Sequence, residues 1–283
     1  DDVIEGGRWP MLAHRFDKYG HKIVWPAYVQ PKFDGHRCIA MVDKAGKCTL
    51  WTRTRKIIQS VPHINRAIEA LGVADCVFDG ELYNHKYKDD FEQITKLIKR
   101  DTPTAGHEEV QYHIYDMVSD QTFYTRTIIL DAMLKTLAKS SCLVRVDTQP
   151  VNDEQEAIVA FERYLALGYE GAMLRNRDGL YIEHPTKRSY DLQKIKEFDD
   201  FEFKIVGVIE GRGKLAGHGI FKCATEDGGE FEVKMKGDTI ALKEFLENPD
   251  KFIGRMLTVQ YQGFTKKSGV PRFPVGLRLR EDL

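Results

Sequence analysis

Lys32-Phe33-Asp34-Gly35-His36-Arg37 lies between two stretches of strand character. Pro26 to Lys32 reads as extended, Lys32 to Gly35 breaks that pattern, and His36 to Val42 alternates again before the turn Asp43-Lys44-Ala45-Gly46. This is a strand, a tight loop and a hairpin, with a lysine at a strand end and an acid two residues on. Gly35 is expected to let a ligand's phosphate come close to the backbone, because it carries no Cβ. A run this short also suits an ordinary hairpin turn, so its meaning depends on the residues downstream and their order.

Cys48 to Arg53 continues the strand pattern, and Pro62 opens a helix with Ile64, Ala67, Ile68 and Leu71 on one face before Gly72. Val77 to Tyr83 reads as a strand, Phe91 to Lys99 as a helix and Val110 to Val118 as a strand rich in aromatic and branched residues. Asp153 followed by Glu156 resembles a capped helix start, with Ile158, Phe161, Tyr164 and Leu165 as the buried stripe. That helix ends at Gly168, and a strand follows over Gly171 to Arg175.

After Phe198 the pattern changes to short strands with glycine turns: Phe201 to Glu210, Gly219 to Thr225, Glu230 to Lys236, Met256 to Gln262 and Phe273 to Leu279. Five strands with a helical insert around Thr239 to Leu246 fit the OB-fold, a partly open barrel. The expected class is α+β, with one domain over 1–199 and an OB-fold barrel over 200–283.

A hydrophobic fraction of 42% and a charged fraction of 30% describe globular domains with their own cores, not a disordered chain. The formal net charge of -1 carries no global basic signature. Any case for nucleic acid therefore rests on local clusters: Lys44, Lys47, Arg53, Arg55 and Lys56, and later Lys266, Lys267, Arg272, Arg278 and Arg280. The five cysteines hold no Cys-x-x-Cys pair, which argues against a disulfide framework or a zinc site and fits a reducing, cytoplasmic setting. No apolar run approaches the roughly 18 residues of a membrane span, so no membrane partner is expected. The nine histidines form no His-x-x-x-His pair, so His36, His85 and His113 read as ordinary residues.

Downstream of Lys32 stand Thr52-Arg53, then Asp79-Gly80-Glu81, then Tyr112-His113-Ile114-Tyr115-Asp116, then Glu170-Gly171, then Leu192-Gln193-Lys194-Ile195-Lys196. In this order they resemble the covalent nucleotidyltransferase superfamily of DNA ligases, RNA ligases and mRNA capping enzymes. Tyr261-Gln262-Gly263-Phe264-Thr265, Pro271-Arg272-Phe273-Pro274 and Arg278-Leu279-Arg280-Glu281-Asp282 look like the OB-domain ending of ATP-dependent DNA ligases. Gly211-Arg212-Gly213-Lys214-Leu215-Ala216-Gly217 is similar to a loop of the same domain. The resemblance implies a nucleotidyltransferase domain of ATP-grasp-like antiparallel sheets with helices, followed by the OB barrel. Its rivals are an RNA ligase, a GTP-dependent capping enzyme or a non-catalytic OB-fold nucleic-acid binding protein.

The implied chemistry is attack of a lysine amine on the α-phosphorus of ATP, transfer of AMP to the 5′-phosphate of nicked duplex DNA, and sealing by the 3′-hydroxyl. An ordinary lysine, with a pKa of about 10.4, is only about 0.1% neutral near pH 7.5, so Lys32 needs help to lose its proton. Nearby cations disfavour ammonium, and Arg37, Lys194, Lys196 and a metal are the candidates.

By resemblance the catalytic residues are Lys32, Asp34, Lys194 and Lys196. Gln30 meets the base edge, Tyr115 stacks on adenine, Glu81 holds the ribose, and Arg37, Lys194 and Lys196 contact the nucleotide. Glu170, with Asp34 and Glu81, holds Mg²⁺ or Mn²⁺, since such ions prefer oxygen ligands. Arg53 grips the nick phosphate, and Arg55 stands where the family carries glycine. Arg212, Lys214 and Arg272 are expected on DNA, and Arg278 and Arg280 on the pyrophosphate leaving group. Arg175 stands where many relatives have lysine. The expected partner is nicked duplex DNA, and the expected state is a monomer.

Overall fold

The computed structural model describes residues 6–135, 137, 141–196, 199–261, 264–265, 268–272 and 274–280. Gln262, Gly263, Lys266, Lys267, Phe273, Glu281 and Asp282, from the motifs and the basic cluster near the chain end, lie outside the described residues. The chain divides into two compact units, 1–196 and 197–283.

The first unit opens with β1 (Leu12–Arg15), α1 (Phe16–Tyr19), β2 (Ala27–Lys32), β3 (His36–Val42), β4 (Cys48–Trp51), β5 (Ile57–Ile58) and α2 (Pro62–Glu69). It continues with β6 (Cys76–Tyr83), α3 (Phe91–Ile98), β7 (Gln111–Met117), α4 (Phe123–Met133), β8 (Leu143–Arg145) and β9 (Gln149–Val151). It closes with α5 (Glu154–Ala166), β10 (Gly171–Asn176) and β11 (Arg188–Lys196). The strands form a five-stranded sheet, β1-β11-β10-β2-β9, and a six-stranded sheet, β5-β4-β3-β6-β7-β8. Most pairs are antiparallel, but β1 runs parallel to β11 and β8 parallel to β7, so both sheets are mixed at an edge.

The strand pleat sorts each sheet into an apolar face and a working face. Val29, Ala172, Leu174 and Ile195 of the five-stranded sheet pack with Ala157, Ala160, Phe161 and Tyr164 of α5. Asp153 caps α5 by accepting from the Glu156 N–H at 2.8 Å, as its sequence predicts. Cys38, Ala40, Phe78 and Leu82 of the six-stranded sheet pack with Ile64 and Ile68 of α2, Ile94 and Leu97 of α3 and Leu130 of α4. Each large apolar side chain buried this way contributes about 1.5–3 kcal/mol. The alternate positions, Gln30 and Lys32, Met173, Leu192 and Lys194, Arg37, Asp79 and Glu81, thereby lie on the opposite faces, and Arg175 there meets the Phe123 ring of α4 at 5.0 Å.

The second unit is a closed barrel of β12 (Asp199–Glu210), β13 (Gly219–Ala224), β14 (Glu230–Met235), β15 (Met256–Tyr261) and β16 (Val275–Leu279), in the order β12-β13-β14-β16-β15. Alternating residues fill it: Phe203, Ile205, Phe221, Cys223, Phe231, Val233, Leu257 and Val259. The helix α6 (Thr239–Glu247), capped by Asp238 on the Ala241 N–H at 2.9 Å, adds Leu242 and Phe245 to that core. Closure leaves no free sheet edge. Among the described residues no helix is long and apolar enough to cross a membrane.

Candidate active site

Register assembles the site. In the five-stranded sheet Gly171 of β10 pairs with Lys32 of β2 on one side and Lys196 of β11 on the other. Two residues along, Met173 lies between Gln30 and Lys194. Segments separated by more than a hundred residues therefore meet across three neighbouring strands. The Glu170 N–H donates to the Lys32 carbonyl at 3.0 Å, and the Lys32 Nζ reaches Glu170 Oε2 at 2.9 Å. Lys196 Nζ lies 4.0 Å from Glu170 Oε1, so one carboxylate lies between two ammonium groups. Phe33 anchors the strand end, buried against Tyr83, His113 and Tyr169.

The motif glycines serve packing. A Cβ on Gly35 would come 2.5 Å from the Leu82 carbonyl of β6, and one on Gly171 would run into the Ile195 carbonyl of β11. Gly35 was expected to admit a phosphate; the structure instead uses it to bring the Lys32 loop against the strand that carries Glu81.

In the six-stranded sheet Arg37, Glu81 and His113 lie in one row across β3, β6 and β7. Asp79 pairs with Asp116 but Gly80 pairs with Ile114, so Tyr115 is the extra residue of a β-bulge, a device that re-aims a side chain. Its hydroxyl donates to Glu81 Oε1 at 3.1 Å, and the Arg37 and Arg175 guanidinium carbons lie 5.6 and 5.4 Å from its ring centroid. Burial pushes the Glu81 carboxyl up to about 7, against the opposing pull of Arg37, Lys32 and the Tyr115 hydroxyl.

The two sheets bound a cleft of about 970 Å³. Lys32, Met173, Leu192 and Lys194 come to it from one sheet, and His36, Arg37, Glu81 and Tyr115 from the other. Arg53 and Lys56, from the turn between β4 and β5, and Lys99 and Arg100, after α3, line it further along. Burial lowers the Lys194 pKa to about 8, helped by the like charges of Lys196, Arg188, Lys32 and Arg15.

Several expected roles change. Arg37 is not a free cation beside Lys32: it forms a two-pronged ion pair with Asp79, at 2.8 and 2.6 Å, and donates to the Met11 carbonyl at 2.8 Å. Tyr181 completes the Asp79 shell at 2.8 Å. Gln30 is buried, and both amide protons are taken, by the Tyr115 carbonyl at 3.0 Å and Thr148 Oγ1 at 2.8 Å. Its Oε1 accepts from Arg175 Nε at 2.7 Å, so Gln30 braces the pocket from behind.

Arg55 does not line the cleft. It takes φ 63°, the left-handed region that suits the family's glycine, and its guanidinium lies 4.2 Å from the Trp9 ring. The expected ligand trio Glu170, Asp34 and Glu81 does not converge, and no group of three metal-ligating side chains occurs among the described residues. Glu81 is engaged by Tyr115, while Asp34 and Glu170 do feel each other. Burial and then the Glu170 carboxylate raise the Asp34 pKa, with Lys32 and Lys196 pulling the other way.

Sequence reasoning missed the buried support. Asp116 accepts from Arg126 Nε at 2.9 Å and Arg175 Nη1 at 2.8 Å, fixing the guanidinium beside the Tyr115 ring. Asp116 was visible in its motif, but its partners lie 10 and 59 residues further on, outside that motif. In the second unit Arg212 and Lys214 are exposed on the loop between β12 and β13, Arg272 is half-buried, and Arg278 is exposed on β16. Arg280 Nη1 lies 3.3 Å from Glu202 Oε1 of its own barrel.

A carboxylate-held lysine at the end of a cation-lined cleft suits one task above others, that of presenting an amine to a phosphate ester, and this is nucleotidyltransferase work. Residues 10–196 match the family model described as the ATP dependent DNA ligase domain, and residues 210–280 match that of the DNA ligase OB-like domain. The chain belongs to the ATP-dependent DNA ligase family, and with it to the ligase enzymes.

The DNA ligase of Enterobacteria phage T6 is 26% identical, over 96% of this chain and 68% of that protein. The DNA ligase of African swine fever virus is 27% identical, over 90% of this chain and 64% of that protein. The chain thus spans about two thirds of the length of these relatives. The solved ATP-dependent DNA ligase of bacteriophage T7, a complex with ATP, shares the fold with a TM-score of 0.63 at 16% identity, covering 99% of this chain and 100% of that one.

Proposed function

We propose that the chain seals nicks in duplex DNA with ATP through a lysyl-AMP intermediate at Lys32. The observation that carries this reading is the Lys32 Nζ held 2.9 Å from Glu170 beside a cleft that also carries Lys194. In the first step the Nζ lone pair forms a bond to the α-phosphorus and the bond to the bridging oxygen breaks, so pyrophosphate leaves with its electron pair. The amine must shed a proton to do this, and Glu170 is the acceptor within reach. Lys194, and Lys196 beside Glu170, offset charge on the transferring group.

In the second step a 5′-phosphate oxygen of the nick displaces Lys32 from AMP, and the lysine takes back a proton. In the third the 3′-hydroxyl loses its proton and attacks that phosphate, expelling AMP. Arg53, exposed in the cleft, is suited to grip the nick phosphate through a forked guanidinium. Tyr115 offers its ring to adenine, and Glu81 the ribose contact.

Mg²⁺, or Mn²⁺, supplies neutralisation of the polyphosphate. Asp34 and Glu170, whose carboxylates repel each other, fit it, since such an ion is commonly held by one or two carboxylates plus substrate phosphates. The protein acts as a monomer on a nicked duplex. The test is formation of an acid-stable adduct from α-labelled ATP and Mg²⁺, its loss in Lys32→Ala, and sealing of nicked DNA from the adduct. Uptake of GTP in preference to ATP, or sealing of nicked RNA alone, would overturn the reading in favour of its relatives.

A further inference from the structure

Nine lysines and arginines line the cleft against two acids, Glu81 and Asp101, in a chain whose net charge is -1. Part of that excess is already engaged, since Lys32 is paired with Glu170 and Arg37 with Asp79. Arg53, Lys56, Lys99 and Arg100 are different. All four are exposed, and none forms an ion pair among the described residues.

Their two carrier segments are built and tied together. In the first, Thr52 Oγ1 accepts from the Lys56 N–H at 3.0 Å and the Thr52 N–H donates to the Lys56 carbonyl at 2.7 Å, closing the turn that holds Arg53 and Lys56. Arg55 clamps that turn against Trp9. In the second, Lys99 and Arg100 follow the last residue of α3, buried Ile98. Buried Ser60, two residues after β5, donates its hydroxyl to the Ile98 carbonyl at 2.6 Å. That bond joins the end of the hairpin to the end of the helix, so both pairs of cations lie on one wall.

We propose that Lys56, Lys99 and Arg100 form, with Arg53, a rail for DNA backbone phosphates that continues the grip beyond the nick itself. The proposal rests on the ligase reading and adds a binding site to it. Phosphodiester oxygens are the ligand because unpaired cations on fixed segments, without a converging set of base-reading amides, match a repeating anion. The nucleotide's own phosphates are the other source of the same chemistry. They are served by Lys32 and Lys194 on the opposite sheet, and 970 Å³ is at the upper end of the range for small-molecule sites, leaving room beyond a nucleotide.

The test compares the unmodified chain with Lys99→Gln/Arg100→Gln, Lys56→Gln and the charge-keeping swap Lys99→Arg/Arg100→Lys. Binding of nicked duplex is measured between about 50 and 200 mM salt, and lysyl-AMP formation in each preparation reports folding. Removing two phosphate contacts is expected to make the slope of log affinity against log salt shallower by about 1.8. The fourfold rise in salt then costs the double variant roughly twelvefold less affinity than it costs the unmodified chain. Lys56→Gln should remove about half as much slope, and the swap should keep it.

An unchanged slope in the double variant overturns the rail, and so does a swap that loses as much as the neutral pair. A raised ATP requirement for lysyl-AMP formation with an unchanged DNA slope would assign these cations to the triphosphate and also overturn it. Failure of the ligase reading looks different: the unmodified chain itself would form no lysyl-AMP.

Discussion

Lys194 has its charge set to change within the working range of pH, and that makes its role measurable. Burial and the neighbouring cations bring its pKa to about 8. The ammonium is the form that attracts the ATP phosphates, so the attraction is present below pH 8 and lost above it. From that value the charged fraction falls from about 0.9 at pH 7 to about 0.1 at pH 9, roughly tenfold. The second-order rate constant for lysyl-AMP formation at limiting ATP reports the free protein, so it should carry this fall.

Other steps of the reaction carry their own dependence on pH. The comparison that isolates Lys194 is therefore a ratio. In Lys194→Arg the guanidinium stays charged throughout the range, so the charge at this position no longer varies with pH. The rate of the unmodified chain divided by that of the variant should fall roughly tenfold between pH 7 and pH 9, at fixed Mg²⁺. A ratio flat across that range would refute the reasoning, since it would mean that Lys194 either does not titrate there or does not serve the nucleotide.

Three further outcomes concern buried or strained groups. Asp116→Asn leaves Arg126 and Arg175 buried without their shared counter-charge, and should cost about 3–5 kcal/mol, seen as a fall of roughly 6 to 20 °C in the Tm of the first unit. A loss under about 1 kcal/mol would mean that water reaches the cluster. Glu81 has a folded pKa of about 7, above its ordinary 4.5, so its contribution to stability is greatest below 4.5 and lost as pH rises through 7. Glu81→Gln should therefore gain thermal stability relative to the unmodified chain as pH rises from 4.5 to 8, and a pH-independent difference would contradict the burial argument. Arg55→Gly relieves a left-handed residue, worth about 1–2 kcal/mol, but gives up chain stiffness and the Trp9 contact, worth about 0.5–1 kcal/mol each. The net change in chemical denaturation should stay within about 1 kcal/mol, and a larger loss would show that the Trp9 clamp outweighs the backbone strain at Arg55.

The legible part of this protein was the part written in periodicity and turn chemistry. Pro62, Asp153 and the alternating strands after residue 200 each act within a few residues of themselves, so helix starts and barrel strands could be read directly. The order of motifs was legible too, because strands β2, β10 and β11 carry Lys32, Gly171 and Lys196 to the same row of one sheet, with Glu170 just before it.

What sequence could not give was the direction of each charge's attention. Arg37 reads as a cation beside Lys32, yet it pairs with Asp79, two residues off its row in the neighbouring strand. Gln30 reads as a ligand contact, yet its amide is spent internally, on the Tyr115 carbonyl of the other sheet, on Thr148 and on Arg175 of the adjoining strand. Both errors have one cause. Side chains in a two-sheet cleft choose partners across strands, and the partner is set by register and by a bulge at Tyr115 that no local pattern announces. The same cause hid the proposed rail, since the Ser60 to Ile98 hydrogen bond that ties the Lys56 hairpin to the Lys99 helix end spans 38 residues. In such a cleft the motif residues place the reacting atoms, and the residues between motifs decide which charges remain available to a substrate.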